Sequence, residues 1–174
     1  MSTSRTGEIA TARLTLRGPR PDDLHAMHRV YSDPRAMRYW ATDPHPDLAT
    51  TQAMLDRRLA RWAKVPANFQ IARGGRYVGN VGNYAGTDIG FMLSPSLWRQ
   101  GMLTEALAAA LPAIFARTGH DVLTADVDPR NAASIALLQK FGFHEKHRAT
   151  RTFFIGGAWA DSVYFALPRP EASG

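Results

Sequence analysis

The segment from 88 to 107, DIGFMLSPSLWRQGMLTEAL, combines residue types that suit the binding of a phosphate group. DIGFML has the length of a strand, and a long helix is predicted to begin directly after Gly101. The first N–H groups of a helix lack intrahelical acceptors and attract anions. Gly101 lets the backbone approach a ligand closely, and Arg99 adds a full positive charge. An ordinary strand-to-helix turn with an exposed arginine explains the same residues, so both interpretations stay open.

A second segment, ADVDPRNAASIALLQKFGF from 125 to 143, joins a strand to another helix. Asn131 stands at the N-cap position, where an amide oxygen accepts from a backbone N–H one turn along. Ser134 lies on that first turn. Capping explains Asn131 completely, but it does not explain why this whole string follows the first segment at this distance.

Alternating and helical hydrophobic periods predict the elements that must position these residues. A single strand is predicted over 12–17, and Asp33 with Pro34 is predicted to stop the first helix. Asp47 is the predicted N-cap of the second helix, which should end before Pro66. The remaining predictions are a hairpin of 68–73 and 77–84, a strand at 88–93, a helix at 101–118, a strand at 122–127, a helix at 132–141 and a closing hairpin turning at Gly156-Gly157. This pattern predicts an α+β fold in which a mixed sheet carries helices on both faces.

Length and composition limit the class of protein. A chain of 174 residues, 45% of them hydrophobic, favours one domain, with its core at about 10–168. The absence of cysteine excludes disulfides, thiolate metal sites and cysteine nucleophiles, and is compatible with a reducing compartment. No apolar stretch suits a signal peptide or a membrane span, so we expect a cytoplasmic protein with no membrane partner.

The formal charge of +6 raises the question of nucleic-acid binding. The 21 basic residues form no basic run, and 18 of them are arginine in an alanine-rich chain, which is typical of a GC-rich coding bias. We therefore expect no direct nucleic-acid binding. A basic RNA-associated protein without enzymatic activity is an alternative that rests on net charge alone.

Five segments in a fixed order resemble the GNAT N-acetyltransferase superfamily, in particular its branch similar to the RimJ and RimL ribosomal-protein acetyltransferases. They are TARLTLRGPRPDDL, SDPRAMRYW, WRQGMLTEA, DPRNAASIALLQKFGF and GGAWADSVYFAL. Each segment is loose alone, but the five together are specific. The resemblance covers almost the whole chain and implies a single GNAT-like domain over 1–174.

The resemblance implies that acetyl-CoA, as co-substrate, binds in a gap between two splayed central strands, DIGFML and VLTADV. The pyrophosphate would meet the backbone N–H groups of the loop at the helix start, and the pantetheine arm would follow the first strand. Trp98 and Leu103 depart from the family's arginine or glutamine and its glycine or alanine. The implied cofactor-binding residues are Phe91, Met92, Leu93, Arg99, Gln100, Gly101, Met102, Leu103, Thr104 and Asn131. No metal is implied.

The resemblance also implies direct acetyl transfer to an amine in a ternary complex. Many relatives supply the acid for the leaving thiolate from a tyrosine, which matches Leu138 here. In the RimL-like branch a serine at the position of Ser134 would take that role, with Asn131 positioning the pantetheine amide or the substrate. Asp88 is the first candidate for the general base, although an aspartate at a strand start is often a turn acceptor. The fallback candidates are Asp126, His120, His144 and His147.

The loop from Tyr39 to Leu48 is the predicted place of acceptor recognition. Tyr39, Trp40 and Asp43 combine aromatic surface with negative charge, which would suit a cationic amine such as a peptide N-terminus, a polyamine or an aminoglycoside. A ribosomal protein is one acceptor that the branch allows. A catalytically weak, CoA-binding regulatory domain is the alternative function. The chain is expected to be a monomer or a homodimer.

Overall fold

The computed structural model describes residues 7–171, and eight strands within them form one sheet. All neighbouring strands run antiparallel except β5 and β6, which are parallel. The predicted mixed, mostly antiparallel sheet is thereby confirmed. The strands are β1 (Ile9–Ala10), β2 (Thr15–Arg17), β3 (Asn68–Arg73), β4 (Arg76–Ala85), β5 (Asp88–Leu93), β6 (Val122–Val127), β7 (His144–Ile155) and β8 (Ala158–Pro168), lying side by side in the order β1-β2-β3-β4-β5-β6-β8-β7.

Five α-helices connect these strands, and their ends follow from local chemistry. Asp47 accepts from the Thr50 N–H at 2.7 Å, as predicted for an N-cap. Gly119 ends the longest helix in the left-handed conformation, at φ 73°, which a glycine adopts without strain. Within the described part of the chain, no helix has the length and apolar character to cross a membrane. The helices are α1 (Leu24–Tyr31), α2 (Pro34–Met37), α3 (Leu48–Trp62), α4 (Met102–Thr118) and α5 (Ala132–Lys140).

The strand predicted over 12–17 was too long. Only β2 forms within that range, and it pairs with β1 across a turn that the Thr11 N–H closes on the Leu14 carbonyl at 2.9 Å. The first helix ends at Tyr31, before Asp33 and Pro34, as predicted. The short helix α2, which begins at Pro34, was not predicted. A proline at the first helical position loses no hydrogen bond, and Asp33 caps this helix through the Arg35 N–H.

The helices cover both faces of the sheet, as predicted. Helices α1 and α3 pack on one face over a cluster that includes Met27, Leu55 and Met92. Helices α4 and α5 cover the other face over a larger core, with Leu107 and Leu138 among its fully buried side chains. The parallel strands β5 and β6 lie at the centre of the sheet, so both faces reach them.

Candidate functional site

The parallel strands β5 and β6 part soon after they meet. Asp88 and Thr124 are their one aligned pair, and the Thr124 N–H donates to the Thr87 carbonyl at 3.0 Å. Beyond that point no further pairing joins the two strands, although both continue for several residues toward Leu93 and Val127. The sheet therefore contains a gap that is closed at Asp88 and open at Leu93, which confirms the splayed central strands.

Backbone groups of β5 point into this gap in alternation. The Ser94 N–H donates to the Val78 carbonyl of β4 at 2.8 Å, and hydrogen-bonded pairs alternate along an antiparallel ladder. Met92 therefore turns its backbone groups to β4, whereas Phe91 and Leu93 turn theirs to the gap. The Leu93 carbonyl already accepts from the Trp98 indole N–H at 2.9 Å. Of the three predicted contacts on β5, Phe91 and the Leu93 N–H are the ones that face the gap.

The loop at the open end of the gap presents a row of N–H groups. Arg99 and Gly101 both adopt positive φ, at 59° and 73°, which turns the chain sharply into α4. Glu105 makes the first helical bond, from its N–H to the Gly101 carbonyl at 3.0 Å. The N–H groups of the three residues between, 102–104, have no acceptor among residues 7–171. Such a helix start suits the binding of an anion.

Three residues that the sequence analysis missed support this loop: Thr11 and Arg13 in the turn before β2, and Glu105 in α4. The Arg13 guanidinium donates to the Gln100 carbonyl at 2.9 Å and pairs with the Glu105 carboxylate at 2.6 Å. Glu105 also accepts from the Arg13 N–H and the Thr11 hydroxyl. Although burial raises the pKa of Glu105, these hydrogen bonds prevail and hold it below its usual range. The position of Glu105 in the first turn of a helix, where acidic residues are favoured, could have indicated it from the sequence. No local sequence pattern indicates Arg13.

Asn131 and Ser134 lie at the start of α5, directly after β6. The Asn131 side-chain oxygen accepts from the Ser134 N–H at 3.2 Å, which is the predicted capping bond. The Ser134 hydroxyl is half-buried and has no hydrogen-bond partner in the described part of the chain. Leu138 is fully buried in the core. Ser134 is therefore the hydroxyl that the first turns of α5 offer.

A cleft of about 510 Å³ opens at the closed end of the gap, on the face that carries α1 and α2. Four predicted site residues line it: Tyr39, Trp40, Asp43 and Asp88. Ile89 and Gly90 of β5 line it too, so the cleft and the gap share this part of the strand. Ser134 and Asn131 are not among its lining residues. The predicted acceptor residues and Asp88 thus lie together, with the start of α5 apart from them.

The cleft is negatively charged. Its lining contains five aspartates and two arginines, so its formal charge is −3. Arg130 pairs with Asp128 at 2.6 Å, and their hydrogen bonds hold the pKa of Asp128 below its usual range. The other four aspartates are Asp43, Asp88, Asp126 and Asp161. Despite these carboxylates, residues 7–171 contain no group of three or more side chains arranged to hold a metal ion.

Aromatic side chains form the other component of the cleft. The rings of Trp40 and Tyr84 meet edge to face at 6.0 Å, and both lie across Gly90. A Cβ at Gly90 would lie 2.8 Å from a Tyr84 ring carbon, so this position needs a glycine to admit the aromatic pair. Behind them the Asn80 amide donates to the Tyr84 hydroxyl, and Arg58 reaches the same network through Tyr31. This hydrogen-bond network thus connects the aromatic wall of the cleft to buried side chains of the core.

The fallback base candidates occupy different environments. Asp126 lies half-buried in the cleft, whereas none of the three histidines lines it. His147 stacks on the Tyr164 ring at 4.4 Å on β7, and His144 is exposed on the same strand. Burial raises the pKa of Asp126, and the Asp88 carboxylate raises it further, against the opposing effects of Ser162, Tyr164 and His147. The environment of Asp126 therefore favours its protonated form.

Comparisons with known proteins agree with this geometry. Residues 13–144 match the family model described as "Acetyltransferase (GNAT) domain". "Probable N-acetyltransferase YjcK" of Bacillus subtilis is 31% identical over 83 residues, which are 48% of this chain and 46% of that protein. "Uncharacterized N-acetyltransferase YoaA" of the same organism is 23% identical over 94% of this chain and 97% of its own length.

Solved structures show the same fold at low identity. An acetyltransferase from Salmonella typhimurium, described as modifying the N-terminal serine of ribosomal protein L7/L12, matches with a TM-score of 0.78 and 18% identity, over 92% of this chain and 97% of its own. A spermidine N-acetyltransferase from Vibrio cholerae, solved with CoA and spermine, matches with a TM-score of 0.76 and 20% identity, over 91% and 96%. Because the family model matches well over half of the chain, we conclude that the protein belongs to the GNAT acetyltransferase family.

Proposed function

We propose that this protein transfers the acetyl group of acetyl-CoA directly to a cationic primary amine that binds in the acidic cleft. The observation that carries the proposal is the meeting of the gap and the cleft at Ile89 and Gly90 of β5. A donor that entered the gap from its open end and an acceptor in the cleft would meet there. Holding both reactants in place converts a bimolecular reaction into an effectively unimolecular one.

For the donor, the loop between β5 and α4 is the proposed pyrophosphate site. The backbone N–H groups from Arg99 to Thr104, which include those of Gln100, Met102 and Leu103, would bind the phosphate oxygens, and the Arg99 guanidinium would add charge. The pantetheine arm would extend along Phe91 and the Leu93 N–H. This placement of acetyl-CoA is supported by the gap, which offers unpaired backbone groups on β5 and leads from the loop to the cleft.

For the reaction, Asp88 is the proposed carboxylate that binds the acceptor ammonium and takes part in its deprotonation, directly or through water. The neutral amine then attacks the thioester carbonyl, and the C–S bond breaks. The Ser134 hydroxyl gives a proton to the leaving thiolate and regains one from solvent. Asn131 would orient the pantetheine amide through its free amide N–H₂, because its oxygen is engaged in the cap. In the net reaction, one ammonium and one thioester react to give one amide, one thiol and one proton.

For the acceptor, the negative charge and the aromatic walls favour an amine that carries positive charge. A polyamine and a peptide N-terminus both satisfy this chemistry, and relatives of the same fold act on spermidine and on a ribosomal protein. Tyr39, Trp40 and Asp43 are the proposed binding residues. A ribosomal protein as acceptor, a cytoplasmic location and a monomeric or dimeric state stay predictions.

A CoA-binding domain with weak catalysis is the second candidate, and the buried Leu138 in place of the family's tyrosine favours it. One experiment separates the two. Acetyl-CoA should raise the melting temperature, and release of free thiol should then depend on an added amine from a panel of peptides, polyamines and aminoglycosides. Binding without amine-dependent thiol release would favour the second candidate, and absence of acetyl-CoA binding would refute both.

A further inference from the structure

The cleft contains a second carboxylate for which the reaction as proposed has no use. Asp126 follows Thr124 by two residues on β6, so both side chains point to the same face of the sheet. The Thr124 hydroxyl donates to the Asp88 carboxylate across the β5–β6 junction. Asp88 and Asp126 therefore face the same cleft from adjacent strands, at the point where the gap closes.

From this arrangement we infer that Asp126 is a second catalytic carboxylate, and that the proton leaving the acceptor ammonium is held by the Asp88–Asp126 pair with Asp126 as its preferred site. The inference rests on the proposed function. The N–H bond of the ammonium breaks, its electron pair stays on nitrogen for the attack on the thioester, and the proton forms an O–H bond with a carboxylate oxygen. Solvent takes that proton when the product leaves.

The two members of the pair have different environments, which divides their roles. Asp88 is exposed, so its carboxylate is available to bind an entering ammonium. The carboxylate also accepts a hydrogen bond from the Thr124 hydroxyl. Asp126 is half-buried, and burial together with the negative charge of Asp88 raises its pKa. A carboxylate of raised pKa is a stronger base at neutral pH.

Other charged and polar groups around Asp126 do not abolish this effect. The Ser162 hydroxyl and the Tyr164 side chain on β8 and His147 on β7 act to lower the pKa of Asp126, yet the net direction is upward. Ser162 shares a hydrogen bond with Thr152 at 2.7 Å. The other charged groups of the cleft lie on neighbouring elements, namely Arg38 and Asp43 after α2, Asp128 and Arg130 after β6, and Asp161 on β8.

The test compares the pH dependence of turnover in wild-type protein, Asp126→Asn and Asp88→Asn with a cationic amine that the wild type acetylates. Turnover needs the Asp126 carboxylate ionised, so activity falls as the pH drops through the pKa of Asp126. For Asp126→Asn we expect kcat on the high-pH plateau to fall roughly 10²-fold, the loss typical of a removed general base. For Asp88→Asn the acidic limb should move to lower pH, because the repulsion that raises the pKa of Asp126 is gone.

Asp43→Asn is the matched control, since it removes an exposed carboxylate from the same cleft without touching the pair. It should raise the KM for the amine and leave the acidic limb in place. An acetyl-CoA-induced rise in melting temperature establishes that each variant is folded. An unchanged plateau in Asp126→Asn, or an unmoved limb in Asp88→Asn, would overturn the inference.

A second readout separates this inference from the proposed function. Carboxyl ¹³C NMR of the wild-type protein should give Asp126 a pKa above the usual range of aspartate, and Asp88→Asn should lower it. If wild-type protein acetylates no amine, the proposed function fails whatever the titration shows. If it acetylates amines but Asp126 titrates in the usual range and tolerates replacement by asparagine, only the carboxylate pair is refuted.

Discussion

Replacement of Arg13 by methionine should weaken acetyl-CoA binding, although Arg13 is remote in sequence from the loop it supports. Its guanidinium donates to the Gln100 carbonyl and pairs with Glu105, which holds the loop before α4 against the turn that precedes β2. Methionine retains most of the apolar stem while removing every side-chain donor. The loop should therefore lose its anchor without a large loss of packing.

The size of the effect follows from the contacts. Net contributions of hydrogen bonds to charged groups are about 1.5–3 kcal/mol each. The Arg13 side chain is 42% exposed, so solvent screening reduces the value of its contacts. If the less ordered loop reduces the favourable binding free energy by about 1.4 kcal/mol, acetyl-CoA binding weakens roughly tenfold. The KM for the amine should change little, because the cleft lies at the other end of the gap.

Isothermal titration calorimetry measures this directly as the Kd for acetyl-CoA. Arg73→Met is the matched control, because Arg73 is an exposed arginine at the end of β3 and lies outside the loop. Its Kd should equal that of the wild type. An unchanged Kd in Arg13→Met, or an equal loss in both variants, would show that Arg13 does not support the donor site.

Three further substitutions test other parts of the site and fold. Ser134→Ala should lower kcat roughly 10²-fold with a modest change in the Kd for acetyl-CoA, as loss of a general acid predicts, and unchanged turnover would make Ser134 only structural. Gly90→Val should raise the KM for the amine, measured by initial rates, because its side chain would displace Tyr84; an unaltered KM would show that this aromatic wall does not bind the acceptor. Asp23→Ala leaves the buried Arg17 unpaired, so the melting temperature should fall by about 6–12 °C for a loss of about 3 kcal/mol, and a fall under 2 °C would contradict this estimate of the ion pair.

The sequence specifies those parts of the fold that depend on local chemistry. Asp47 and Asn131 cap their helices as predicted, because capping depends on one side chain and a backbone group one turn away. The short strand β1 and the turn between it and β2 were missed, since both are fixed by the pairing of Ile9 with Leu16 and not by periodicity. The start of α2 at Pro34 was missed for a different reason: proline both ends and begins helices, and only its neighbours decide which.

The parts of the candidate site that lie on one continuous segment were predictable from the sequence, whereas contacts between distant segments were not. Arg99 to Thr104 form one continuous segment, the end of a loop and the first turn of α4, so their proximity was predictable from the order of strand, glycine and helix. Arg13 and Glu105 are 92 residues apart, and no local pattern links them. The acidic cleft likewise depends on contacts between distant segments. The tip of the β7–β8 hairpin lies over the loop after α2, and Gly156 approaches Asp43 there. Such long-range contacts depend on the register of the complete sheet.

The most direct test of direct acetyl transfer is a two-substrate kinetic measurement. Initial rates of thiol release are recorded while both acetyl-CoA and a cationic amine are varied, and the acetylated amine is quantified by mass spectrometry. The account predicts one acetylated amine for each thiol released and double-reciprocal lines that intersect, as a ternary complex requires. Parallel lines would contradict direct transfer, and thiol release that is independent of every amine offered would contradict the acceptor role of the cleft.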